Sequence, residues 1–202
     1  MKKRHHTVPR CYLQHFTDDK GFVWVLDTKD KIFNIKPENI LVENHFYTIT
    51  LKNGEKSLVV EDTLANIEGE YSAIFREKLA KDIFLTPGER AKVSVFIGAL
   101  YLRTRPYREG LRGAFMQLKD GMEEWKKQFE ANPKAKEASA NMPRQKGESI
   151  TIDEIDKYIN NFDEHHSVSI VENLSHVAQI IFDMKWSIWK DKNNNFVTSD
   201  DP

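Results

Sequence analysis

The fold class expected of this 202-residue chain is α+β, mainly a helical bundle with a small antiparallel β unit. Three observations lead there. Residues 1–57 contain short β-branched and aromatic runs separated by turn signals. From Val60 onward the apolar residues recur at spacings of three and four, the period of a buried helix face. Residues 185–202 then return to short strand-like runs, a hairpin in position to join the N-terminal sheet. One domain over 1–202 is the expectation, with the helical part at 58–184.

The elements follow in order. Val8 to Phe16 suits a short helix, with Pro9 in its first turn and Val8, Tyr12, Leu13 and Phe16 on one face. Thr17 to Gly21 is a turn. Phe22–Leu26 and Lys31–Ile35 form a hairpin around Asp27–Asp30, and Pro37–Ile40 a single helical turn. His45–Thr50 is a further strand, closed by a tight turn at Asn53-Gly54. The first long helix carries Val60, Leu64, Ile67, Tyr71, Ile74, Phe75 and Leu79, with Asp62 as its cap. Thr86-Pro87-Gly88-Glu89 opens the second with a capping box and an early proline, and that helix breaks at Arg105-Pro106. The third presents Tyr107, Leu111, Phe115, Leu118, Met122, Trp125 and Phe129 as an apolar stripe. Residues 131–149 hold two prolines and almost no large apolar side chain, so a flexible loop is expected. Thr151 to Glu154 is another capping box, and a final helix runs from about Val168 to Met184. Trp186–Trp189 and Phe196–Thr198 read as two strands around Asn193–Asn195.

Composition narrows the function classes. Thirty Lys and Arg face 31 Asp and Glu, for a net charge of −1, so only local patches can argue for nucleic acid. The single Cys11 excludes an internal disulfide framework and a thiolate-rich zinc site within one chain. No apolar run approaches the roughly 18–20 residues that span a bilayer, and Met1–His6 lacks a signal-peptide core. The expected compartment is cytoplasmic, with no membrane contact.

Standard catalytic motifs are absent: no phosphate-binding Gly-rich loop, no dinucleotide fingerprint, no nucleophile elbow, no His-Glu-x-x-His pair. Asp120, Glu124 and Lys126 imitate a nuclease carboxylate–lysine set, but on the polar face of a helix, where a solvated surface explains them better. Among the seven His, His165, His166 and His176 suit helix-cap or surface positions more than a metal site. His6 is either a base, ligand or phosphate donor, or a histidine bonded to backbone, the plainer of the two. The better signal is Tyr101 to Arg108 followed by Arg112, which puts Arg103, Arg105, Arg108 and Arg112 at a helix–helix junction. Planar guanidinium groups suit bidentate phosphate or carboxylate binding, and Tyr101 and Tyr107 could stack on a base. Helix-end capping and surface ion pairs explain the same arginines equally well. Thr198-Ser199-Asp200 after a strand fits a metal or phosphate site, or a plain turn.

Three separated segments carry a resemblance. His5 to Phe16, with its His-x-Val-Pro, Tyr-Leu and Phe positions, Leu102-Arg103-Thr104 with Arg108, and Trp186 to Pro202 together resemble domain-of-unknown-function family 4238. Asn44 to Thr48 is similar to the stretch that follows its opening motif. Arg105 stands in the family's proline slot, Asp201 where an asparagine is usual, and the family pattern continues past Pro202, so a truncated chain is one expectation. The resemblance implies no reaction. It does imply that His6, Arg103, Arg108, Thr198 and Asp200 occupy motif positions, a set suggestive of one assembled site.

The reading that follows is an enzyme acting on a phosphate-containing substrate, nucleic acid or nucleotide, in the manner of a phosphodiesterase or nuclease. Arg103 and Arg108 bind the anion with Tyr101, Tyr107 and Thr198 nearby, and His6 is the general acid or base. Asp200 orients His6 or holds a divalent cation, Mg²⁺ or Mn²⁺. The alternatives are a non-catalytic nucleic-acid or anion-binding module, and a protein-interaction module in a host–parasite or toxin–antitoxin system.

Overall fold

The architecture is built on one central helix, Pro87–Leu102 by its packing, flanked by two others, with three small antiparallel strand pairs beside them. The structure, a computed structural model, describes residues 4–51, 53–140, 150–189 and 196–202. The strands are β1 (Arg4–His6), β2 (Val23–Leu26), β3 (Ile32–Ile35), β4 (Val42–Asn44), β5 (Ile49–Thr50) and β6 (Lys56–Ser57). The helices are α1 (Arg10–Leu13), α2 (Val59–Glu77), α3 (Pro87–Leu102), α4 (Arg105–Ala131), α5 (Pro133–Ala140), α6 (Ile152–Asn160) and α7 (Phe162–Asp183). The fold is α+β and mainly helical.

Local chemistry accounts for most boundaries. Thr86 and Thr151 each complete a capping box: the threonine oxygen accepts from the N3 amide while Glu89 or Glu154 accepts from the threonine N–H. Thr104 caps α4 by accepting from the Tyr107 N–H at 3.4 Å, and Pro106 sits in the first turn, where its missing N–H costs nothing. Asp27 holds the β2–β3 turn by accepting from the Lys29 and Lys31 amides, with Asp30 in the left-handed region at φ 57°. Gly54, at φ 83°, makes the β5–β6 turn for the reason only glycine supplies cheaply.

The sheets are three separate antiparallel pairs, β1–β4, β2–β3 and β5–β6. In the first, His5 lies opposite Glu43 and His6 opposite Val42. α3 packs along α7 and against α2. Phe46, Tyr47, Leu64, Leu102, Ile170 and their neighbours form one apolar cluster; Val8, Leu13, Tyr71, Phe96 and Leu100 form the second. Gly98 lets α3 approach α7, since a Cβ there would meet Leu174 and Val177 at 3.4 Å.

Four expectations are corrected. His45–Thr50 is not one strand: the chain turns at His45, φ 57°, with the Thr48 N–H returning to the His45 carbonyl. Burial of Phe46 and Tyr47 in the core outweighs their strand preference. Asp62 lies within the first turn of α2 rather than capping it. Residues 133–140 of the expected loop are helix, because Asn132 caps the Lys134 and Ala135 amides and the Ala-Lys-Glu composition favours helix; residues 141–149 lie outside the described residues. Neither Trp186–Trp189 nor Phe196–Thr198 is a strand, and the Asn193–Asn195 turn lies outside the described residues.

Candidate functional site

The polar residues of the interior gather where β1, the turn at 45–48, α2 and the α3–α4 junction meet. Arg103 follows the last residue of α3 and is 1% exposed, the largest of the fully buried side chains. Its Nη1 donates to Glu68 Oε1 at 2.8 Å. Its Nε and Nη2 are buried and make no well-formed hydrogen bond among the described residues, with the Tyr47 hydroxyl the nearby acceptor. A guanidinium has five donors, so this one keeps unused capacity in a place where an unmet donor is costly.

Tyr47 links the arginine to β1. Its hydroxyl donates to the His6 carbonyl at 3.2 Å, and burial raises its phenol pKa far above the ordinary value, with the Arg103 guanidinium beside it opposing that rise. Its N–H donates to His5 Nδ1 at 2.8 Å while the two rings stack, 5.5 Å apart. An accepting Nδ1 puts the His5 ring proton on Nε2, which is buried and unpartnered.

His6 is half-buried, and its Nε2 donates to the Pro37 carbonyl at 3.2 Å, which leaves Nδ1 as the basic nitrogen. Burial lowers the His6 pKa below the usual 6.5; the Pro37 bond and the carboxylates of Glu68 and Glu61 oppose the shift. Glu61 and Glu68 stand two turns apart on α2 and so share a face. Burial also raises the Cys11 thiol pKa, with the Glu68 carboxylate acting in the same direction. The Glu68 charge thus reaches His6, Cys11 and Tyr47, and the Arg103 charge reaches Cys11 and Tyr47. No three of the described His, Cys, Asp and Glu residues are grouped as a metal would need.

The other arginines do not join this centre. Arg108 makes a two-pronged pair with Glu43, at 2.9 and 3.3 Å, and lies over the Phe46 ring at 4.6 Å. Arg112 pairs with Asp163 at 2.9 Å and lies over Phe162. Arg105 is exposed. The expected four-arginine cluster is thus divided, because Arg103, Arg108 and Arg112 each face a carboxylate on a different element while Arg105 points to the surface. Tyr101 is 51% exposed and meets Tyr107 edge-on at 5.1 Å.

The C-terminal residues lie elsewhere. Thr198 Oγ1 bonds the Tyr12 hydroxyl at 3.1 Å, which docks the terminal segment on α1. Asp200 is exposed and makes no hydrogen bond or ion pair among the described residues. It does not orient His6, whose Nε2 is held by Pro37 instead.

Sequence reasoning missed Glu43, Glu68 and Tyr47. The one local signal for the carboxylate centre was the seven-residue spacing of Glu61 and Glu68 beside the apolar stripe of α2. His166 is buried within α7, and its Nε2 donates to the Leu102 carbonyl at the end of α3, at 3.1 Å.

A family model described as "Protein of unknown function (DUF4238)" matches residues 4–202. No curated protein and no solved structure matches the chain. No helix among the described residues is long and apolar enough to cross a membrane.

Proposed function

The chain belongs to the DUF4238 family, and from that premise we propose that Arg103, His6 and Glu68 form an anion-receiving centre that acts on a phosphate-containing substrate, a nucleotide or a nucleic-acid end. The observation that carries this reading is the buried Arg103 guanidinium, two of whose nitrogens make no well-formed hydrogen bond among the described residues. Glu68 occupies the guanidinium now, but its side chain is 26% exposed and can swing toward water. An incoming phosphate would replace it and meet Nη1 together with the unused donors. His6, uncharged near neutral pH because its pKa is lowered, would accept a proton from attacking water at Nδ1. Arg103 would stabilise the charge that develops on the phosphoryl oxygens.

The test compares wild type with Glu68→Gln, Arg103→Met and His6→Asn. Phosphate and nucleoside monophosphate binding are followed by calorimetry, and cleavage of labelled RNA, DNA and a chromogenic phosphodiester by product release. Removing the competing carboxylate in Glu68→Gln should tighten phosphate binding, Arg103→Met should abolish it, and His6→Asn should keep binding while losing turnover. Phosphate binding that survives in a folded Arg103→Met protein sinks the proposal. A second reading is favoured by the pairing of Arg108 with Glu43 and of Arg112 with Asp163. In it the centre braces the fold of a binding or protein-interaction module, and wild type shows neither turnover nor phosphate binding.

A further inference from the structure

α2, α3 and the end of α7, with Tyr12 and the segment after α7, form a groove of about 890 Å³ that none of the described arginine-centre residues lines. The volume lies within the ~300–1,000 Å³ of small-molecule sites. At its base Tyr71 stacks face to face on Phe96, with ring centroids 3.7 Å apart. Trp186 forms a braced wall. Its indole N–H donates to the Ile181 carbonyl at 2.8 Å, and the Arg90 guanidinium lies over its ring at 4.6 Å while donating to the Phe182 and Met184 carbonyls. Around the opening, Trp189 and Phe196 remain 81% and 58% exposed. Large apolar side chains gathered at an open apolar groove gain free energy when something apolar covers them.

The charge pattern says what that something is. Among the described residues lining the groove Lys185 is the one charged side chain and none is a carboxylate, and Lys185 makes no ion pair among the described residues. An apolar body therefore finds a fitted surface, and an anionic head finds an uncompensated cation at the rim. We infer that the groove binds a single-chain amphipathic anion, a long-chain carboxylate with its alkyl tail against Phe96 and Trp186 and its head at Lys185. This site is independent of the Arg103 centre and stands whether or not that centre turns over phosphate esters.

Oleate is the probe, held below its micelle concentration and titrated into the full chain, with tryptophan emission and calorimetry as readouts. Oleylamine provides the opposite head group on the same tail. Wild type should bind oleate saturably at one site and oleylamine at least about tenfold more weakly. Lys185→Glu, at an exposed position, should weaken oleate by about tenfold or more without weakening oleylamine. Ile97→Arg, at the groove edge, should lose both. If that variant does not fold, Trp189→Ala at the opening replaces it and should weaken both ligands. No saturable oleate binding by wild type overturns the inference. So does oleylamine binding as tightly as oleate. A concentration-dependent dimer that Ile97→Arg abolishes, without oleate binding, would assign the groove to a second copy of this chain and overturn it as well.

Discussion

The Arg103–Glu68 pair is unequally placed: the arginine side chain is 1% exposed and the glutamate 26%. Cutting the pair from either end should therefore have different costs. Glu68→Ala leaves a guanidinium buried with no partner on Nη1, beside Nε and Nη2 that already make no well-formed hydrogen bond among the described residues. Stranding a buried charge costs about 3–5 kcal/mol, and the access water gains through the vacated glutamate volume puts this case near ~3 kcal/mol. Arg103→Met removes the charge, fills much of the same volume and lets Glu68 return to water, so its cost should be about 1 kcal/mol or less. For a chain of this size a difference of ~2 kcal/mol corresponds to roughly 4–8 °C in Tm. Urea unfolding followed by circular dichroism, with the slope checked between variants, measures it. An Arg103→Met protein as unstable as Glu68→Ala would refute the reasoning, because the arginine would then be stabilising the fold by more than its pairing.

Three further outcomes follow from the geometry. Burial holds His6, His15 and His166 below the usual histidine value of 6.5, so the unfolded chain binds more protons than the native one between those lowered values and 6.5. Stability should be full above that window and fall as the pH drops through it, and His166→Gln should flatten the change in urea midpoint between about pH 7.5 and 5.5. Thr86→Ala, which dismantles the α3 capping box, should cost about 1 kcal/mol in the same assay, and a change near zero would count against the cap. Gly98→Ala should be close to neutral because its Cβ would reach ordinary contact with α7, whereas Gly98→Leu should cost about 1–3 kcal/mol by forcing α3 and α7 apart; a stable leucine variant would show that the helices are not closely packed there.

The helices could be read from the chain because their signals are local. A threonine cap and a glutamate three residues on, or an apolar stripe at three and four, act within one or two turns of backbone; so do the Asp27 and Gly54 turns. The interior polar centre is different. Arg103 meets Glu68 across 35 residues, Arg108 meets Glu43 across 65, and Arg112 meets Asp163 across 51. Four arginines within one short stretch looked like a single basic patch, and no sequence spacing says which carboxylate each will face once α2, β4 and α7 have packed. The same limit hid the break at His45, where two aromatic residues with strong strand preference are drawn into the helical core instead. Composition and periodicity determined that this chain makes an α+β fold with a mainly helical core. Only the tertiary structure decided which charge is left unmatched inside it, because desolvation and pairing depend on what surrounds a side chain in space rather than on its neighbours in sequence.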